Sequence, residues 1–202
     1  MTKWKERGYK LELRNDAQKI IDAAINAALP HTAVQKALID IDFSDGKLIL
    51  ISMGKAAWSM AKAASDILGD KIDEGVVVTK YEHSEGELPN IRIFEAGHPV
   101  PDENSFKATS EAIELVSGLS KQDKVLFLIS GGGSALFEKP LIPKEELENI
   151  TEQLLSSGAN IIEMNTIRKR LSGVKGGKFA KLCEPAHVYS VILSDIIGDP
   201  LD

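Results

Sequence analysis

Three consecutive glycines stand between two serines directly after an apolar run, in the segment Ser130-Gly131-Gly132-Gly133-Ser134. Glycines let the backbone approach a ligand closely, and their amides can form an anion-binding nest to which the serine hydroxyls add donors. The segment is not a Walker A loop, which needs Gly-Lys-Ser/Thr after four spacer residues. It therefore predicts an anion-binding loop, and the alternative is a flexible connection between a strand and a helix.

A lysine stands where a helix is predicted to begin. Lys55 follows Gly54 at the end of another apolar run. The dipole of a helix favours anions at its N-terminus, so a cation there is unfavourable unless an anionic ligand compensates it. The position therefore indicates a ligand-binding lysine, with a solvated surface lysine as the alternative.

A histidine lies in a loop stiffened by two prolines, within Gly97-His98-Pro99-Val100-Pro101-Asp102. Such stiffening helps to hold a binding loop in place. We therefore treat His98 as a candidate ligand-binding residue, while Asp102 could equally be only a helix cap. The other histidines show no spacing expected of a metal site and are interpreted as structural or surface residues: His31, His83 and His187.

A basic stretch without any acidic residue runs from residue 164 to residue 183. It contains Asn165 and Arg168, followed by a Gly-Gly pair that Lys175 and Lys178 flank. Glycines beside a helix start, with lysines on both sides, suit a phosphate group. The alternative is a lysine-rich, solvated helix face.

Two acidic residues follow the last apolar run of the chain. Asp195 comes after Ser194 at the end of that run, and Asp199 follows four residues later. A carboxylate just past a strand can hold Mg²⁺ or accept a hydroxyl proton. A turn-forming or helix-capping aspartate is the alternative for both positions.

The elements that position these segments alternate between strand and helix. Five apolar runs predict strands, at residues 47–53, 75–79, 91–95, 124–130 and 187–193. Helices are predicted at residues 55–68, 101–119, 144–156, 159–171 and 178–183. Strands that are apolar throughout and alternate with helices indicate a parallel sheet covered on both faces. Ligands of such sheets bind outside the carboxyl ends of the strands, where the candidate segments lie.

The N-terminal part is predicted to be helical only in its second half. Residues 1–14 look like a polar lead-in, and Asn15 and Asp16 can cap a helix that stops at Pro30. Apolar residues recur along this helix at helical spacing, so one of its faces is predicted to be buried. A second helix is predicted over residues 32–39.

Composition excludes several functional classes. The 202 residues carry a net charge of −6, and 5% of them are aromatic, which disfavours general nucleic-acid binding and a base-stacking platform. No apolar run approaches the roughly 20 residues that a membrane span requires, and the N-terminus shows no signal peptide. Cys183 is the single cysteine, so no internal disulfide can form. A cytoplasmic protein fits these features best.

The motifs, taken in order, resemble those of the glycerate 2-kinase family, and the resemblance covers roughly residues 15–202. The matching segments are SMGKAA at 52–57, EAGHPVPDENS at 95–105, LISGGGSALFEKP at 128–140, NTIRKRLSGVKGGKFA at 165–180 and ILSDIIGD at 192–199. The resemblance implies transfer of the γ-phosphoryl group of ATP, with Mg²⁺, to the 2-hydroxyl of D-glycerate. It also implies a Rossmann-like three-layer α/β domain, residues 15–202, without the second domain of the family.

The resemblance assigns roles to individual positions. Lys55 matches the catalytic lysine of the family, and Asp195 matches its catalytic aspartate, a candidate base and a tentative Mg²⁺ ligand. The loop from Ser130 to Ser134 matches the family's glycine-rich loop, expected to hold a carboxylate or phosphate. Three further positions match polar residues that face the cleft: Asn165, Arg168 and Lys175.

Because the second domain supplies a catalytic arginine in the family, we expect the chain alone to show no measurable kinase activity. Two other functions stay open at this point. One is a phosphosugar- or anion-binding α/β module without phosphoryl transfer. The other is a structural fragment that associates with itself, so that a homodimer is among the assemblies considered.

Overall fold

The computed structural model describes residues 3–194 and Gly198, with side chains from residue 12 onward. The strands of this part of the chain are β1 (Leu48–Met53), β2 (Glu74–Lys80), β3 (Ile91–Ala96), β4 (Lys124–Ser130) and β5 (His187–Leu193). The helices are α1 (Lys3–Ala28), α2 (Pro30–Leu38), α3 (Ala57–Leu68), α4 (Glu103–Val116), α5 (Gly133–Leu136), α6 (Lys144–Ser156), α7 (Ile161–Leu171) and α8 (Lys178–Leu182), and a 3₁₀ turn spans Gly69–Lys71.

The five strands form one sheet in the order β3-β2-β1-β4-β5, and every pair is parallel. This confirms the predicted parallel sheet. The chain runs outward from β1 to β3 and then returns to place β4 on the other side of β1. The strand order therefore reverses between β1 and β4, and it is at such a reversal that open α/β sheets leave a crevice for ligands.

Helices cover both faces of the sheet, as the predicted three-layer fold requires. On one face α2 and α3 pack over Leu50 and Leu126, and small side chains along α3 let that helix approach the sheet closely. On the other face α4, α5 and α8 pack over Ile49 and Ile51. Because both faces are buried, apolar residues fill the central strands continuously instead of alternating with polar ones.

Helix α1 differs from its prediction in two ways. It begins at Lys3 instead of at Asn15, because the preceding residues are mostly good helix formers and nothing at Asn15 forces the chain out of the helix. The predicted burial of its apolar face is also wrong: Ile20 is 70% exposed and Ile25 55% exposed. Apolar residues at helical spacing show that a face of the helix can be buried. They do not show that the surface that buries it lies within the described residues.

Across the described residues, no helix combines the length and the apolar character needed to span a membrane. This holds for α1 as well, whose 26 residues are interrupted by charged side chains.

Candidate functional site

The loops that follow β1 and β4 are bonded to each other at the reversal of strand order. The amide of Lys55 donates to the carbonyl of Gly131 at 2.9 Å. The amide of Ala56 donates to the hydroxyl of Ser130 at 3.1 Å. These bonds hold the start of α3 and the glycine loop side by side at the carboxyl edge of the two central strands.

Gly132 marks the place where three predicted site elements meet. Its φ of +85° lies in the left-handed region, which favours glycine. A Cβ atom at this position would lie 2.9 Å from Nε2 of His98 and 3.3 Å from Cγ of Lys55. Glycine is therefore required on both grounds, and the side chains of Lys55 and His98 both reach the glycine loop.

The two serines of the loop differ in their surroundings. Ser130 is buried, and its hydroxyl donates to the carbonyl of Met53 at 3.3 Å while it accepts from Ala56. Ser134 is exposed in the first turn of α5, a short helix that the sequence did not predict. Ser130 therefore joins the two loops, whereas Ser134 stays the better placed of the two to meet a ligand.

The backbone of Lys55 is fixed, but its ammonium is not. Its carbonyl accepts a hydrogen bond from Nδ1 of His83 at 3.1 Å, and its amide is bonded to Gly131. The side chain is exposed, and among the described residues the ammonium has neither a hydrogen bond nor an ion pair. The helix that follows, α3, has no side-chain cap at its N-terminus. A positive charge thus stands uncompensated just before the start of this helix.

His98 lies in a positively charged environment. Partial burial lowers the pKa of its imidazole, and the nearby charges of Lys55, Lys80 and His83 lower it further. The imidazole is therefore driven towards its neutral form. His83, interpreted from sequence as structural or surface, lies in this site, and no motif in the sequence marks it.

Asp102, by contrast, is a helix cap. Its carboxylate accepts from the amide of Ser105 at 3.0 Å and from the hydroxyl of Tyr81 at 2.8 Å, and it forms a capping box at the start of α4. Although burial opposes the effect, these hydrogen bonds hold the pKa of Asp102 below its usual value. The capping alternative is the one that the structure supports.

Lys175 is engaged in an ion pair. Its ammonium bonds to the carboxylate of Glu138 and to the carbonyl of Phe137, and the two charged side chains are 13% and 5% exposed. Burial lowers the pKa of Lys175, and the Glu138 carboxylate opposes that effect. The predicted contact of Lys175 with a substrate would have to compete with these bonds. Sequence reasoning missed Glu138, because it lies 37 residues away in the chain.

Lys178 also has protein partners. Its ammonium donates to the carbonyl of Lys169, at 2.9 Å, in the last turn of α7, and to that of Ser172, at 2.6 Å, just after the helix. Cations are favourable at the C-terminus of a helix. Both lysines that flank the Gly-Gly pair therefore stabilise the protein itself.

Arg168 and Asn165 lie one turn apart on α7, and both are half-buried. Helices α6 and α7 form an arm whose two ends are joined by hydrogen bonds from Leu141 to Leu171, at 2.9 Å, and from Gly173 to Lys139, at 2.7 Å. A groove of about 380 Å³ separates the arm from the loop after β3, and Arg168 and Pro99 both line it. The arm thus places Arg168 beside the loop that carries His98.

Asp195 and Asp199 lie outside the described residues, so their predicted roles stay predictions. The described residues contain no group of three or more histidine, cysteine, aspartate or glutamate side chains able to hold a metal ion.

Comparison with known proteins gives the family. Residues 16–202 match the family described as a domain of unknown function, DUF4147. The chain belongs to that family. Similarity to curated proteins also confirms the resemblance to the glycerate 2-kinases: a D-glycerate 2-kinase of Thermotoga maritima is 52% identical over 192 residues, and a glycerate 2-kinase of Pyrococcus horikoshii is 42% identical over 204 residues.

The structural comparison agrees with the sequence comparison. The crystal structure of a glycerate kinase from Thermotoga maritima superposes with a TM-score of 0.85 at 51% identity. The match covers 95% of this chain and 46% of that one. The two curated relatives are likewise covered over 46% of their length, so this DUF4147 chain spans about half the length of the relatives it matches.

Proposed function

We propose that this chain is the N-terminal part of a kinase that transfers the γ-phosphoryl group of ATP to the 2-hydroxyl of D-glycerate. One observation carries the proposal: the side chains of Lys55 and His98 meet at Gly132, where the strand order reverses, and the Lys55 ammonium has no partner among the described residues. The similarity to proteins named glycerate 2-kinases, over 94% and 95% of this chain, supports the choice of substrates.

The arrangement suits phosphoryl transfer because that reaction depends chiefly on positioning and on neutralising charge. The Lys55 ammonium is a cation that approaches the transferred phosphoryl group, and the fixed backbone of Lys55 keeps it within reach of the site. The glycine loop offers amides at a distance that only a residue without a side chain allows. Arg168 lines the groove beside the loop that carries His98, and Asn165 lies one turn away on the same helix. We assign both residues to substrate binding.

Asp195 is proposed as the base that accepts the proton of the 2-hydroxyl. Mg²⁺ is proposed only on the family resemblance. The described residues do not provide a suitable set of ligands for the ion, because Glu138, the buried carboxylate near the site, is already neutralised by Lys175. No step of the reaction is therefore assigned to the metal. The cytoplasmic location and the homodimer also stay predictions, which cell fractionation and light scattering would check.

The test compares the chain alone with a fusion in which residues 1–202 replace the corresponding half of the Thermotoga maritima relative. Product is measured by coupling to enolase, which accepts 2-phosphoglycerate. We expect turnover from the fusion and none from the chain alone. Lys55→Met should abolish turnover of the fusion, while the matched surface variant Lys71→Met should retain it. A fusion that binds sugar phosphates but never forms 2-phosphoglycerate would contradict the proposal.

A further inference from the structure

The carboxyl edge of the sheet carries basic groups beyond the central pair of strands. Lys80 ends β2, His83 lies in the turn that follows it, and His98 follows β3. With Lys55 after β1, these groups form a row that crosses three neighbouring strands. Of the row, the sequence pointed only to Lys55 and His98.

Hydrogen bonds fix the position of His83 in this row. Its amide donates to the carbonyl of Lys80 at 3.1 Å and to the carboxylate of Glu95 at 3.2 Å. Nδ1 of the ring lies 3.1 Å from the carbonyl of Lys55, which can only accept, so Nδ1 carries the proton. The ring is exposed, and its Nε2 has no partner among the described residues.

Protein donors already satisfy the carboxylates of Glu95 and Asp102, which lie near the row. Glu95 accepts from the amide of Ser84 at 3.0 Å and from its hydroxyl at 2.7 Å. Asp102 accepts from Tyr81 and from the start of α4. The charged neighbours that act on His98 are Lys55, Lys80 and His83, and all three disfavour its imidazolium form. At His98, the effect of these positive charges therefore outweighs that of the nearby carboxylates.

We propose that Lys55, Lys80, His83 and His98 form a polyphosphate-binding row that holds the phosphate chain of the nucleotide over β1, β2 and β3. The assignment rests on the proposed kinase function and deepens it, because it names the groups that hold the phosphate chain of the nucleotide. The strands that carry the row span two strand spacings, from β1 to β3, which is about 10 Å. A span of this length suits an extended phosphate chain.

The test uses the 202-residue chain and inorganic tripolyphosphate as the probe, followed by nuclear magnetic resonance of the four imidazoles. Tripolyphosphate should shift the ring signals of His83 and His98 and leave those of His31 and His187 in place. D-glycerate, added separately, should leave the His83 signal unmoved. The two control histidines are both exposed and lie outside the row.

Variants then separate binding from positioning. Lys80→Ala and His83→Asn should each weaken tripolyphosphate binding about tenfold, the loss expected for one charge-assisted hydrogen bond. Asparagine is chosen because its amide can keep the bond to the Lys55 carbonyl while Nε2 is lost. Lys71→Ala, at an exposed lysine in the 3₁₀ turn, should bind as the parent does. Melting temperatures confirm that each variant is folded.

Three results would overturn the assignment. The first is equal tripolyphosphate affinity in all variants, and the second is no tripolyphosphate binding by the parent chain. The third is that the Lys80 and His83 variants weaken the binding of D-glycerate and leave that of tripolyphosphate unchanged. None of these results decides the kinase proposal. That proposal is decided separately by 2-phosphoglycerate formation in the fusion. Full turnover by a fusion that carries Lys80→Ala and His83→Asn would leave the function standing and the row rejected.

Discussion

Lys55 and Lys175 look alike in sequence, since each is a lysine close to glycine at the start of a predicted helix, yet the folded protein treats them in opposite ways. The ammonium of Lys55 is exposed and has no partner within the described residues. The ammonium of Lys175 is buried and bonds to Glu138 and Phe137. One cation is left for a ligand, and the other is neutralised by the protein.

The difference separates two uses of a basic residue. A buried charge must be paired, so Lys175 and Glu138 depend on each other and on the chain segments that carry them. A cation held at a fixed backbone but left unpaired contributes little to folding and keeps its charge for an incoming anion. Substitutions should therefore affect stability at Lys175 and ligand binding at Lys55.

Lys175→Met should have the largest effect on stability. Removing one member of a buried ion pair leaves the Glu138 carboxylate uncompensated, and the loss is about 3 kcal/mol in the free energy of unfolding. Urea denaturation followed by circular dichroism would measure it. The double variant Lys175→Met with Glu138→Leu should recover most of the loss, because no buried charge then remains. A double variant no more stable than Lys175→Met would show that the pair is not the cause.

Lys178→Met should have a smaller effect of the same kind. Its ammonium bonds the carbonyls of Lys169 and Ser172, and losing these bonds should cost about 1 kcal/mol. The loss should be confined to the end of α7, so hydrogen exchange should speed up there and stay unchanged in β1 and β4. Uniformly faster exchange would contradict a local capping role.

How much of the fold and of the candidate site could be predicted from the sequence depends on how far apart in the chain the interacting residues lie. The apolar runs identify all five strands, and the placement of Lys55 and the glycine loop after two of them puts both at one edge of a parallel sheet. Local patterns do not reveal partners that are distant in the chain. Glu138 therefore escaped notice beside Lys175, and so did His83, whose role depends on a bond to the carbonyl of Lys55.

The apolar face of α1 shows the same limit, because its sequence pattern does not show whether another surface covers it. Its spacing was enough to predict a helix, and the helix is present. Burial of that face, however, depends on a partner surface, and the described residues provide none that covers Ile20 or Ile25. The spacing of apolar residues shows which face of a helix can be buried, whereas only the tertiary structure shows whether that face is buried.

Lys55→Met should change stability least, within about 0.5 kcal/mol, as expected for an exposed side chain without a partner. It should nevertheless remove tripolyphosphate binding. It should also raise the pKa of His98, because the Lys55 charge disfavours the imidazolium and its removal makes protonation easier. Titration of the His98 ring by nuclear magnetic resonance would measure this shift, with Lys71→Met as the control. A stable variant in which binding persists and the pKa of His98 is unmoved would mean that Lys55 is an ordinary surface lysine, and the contrast with Lys175 would then reflect burial alone.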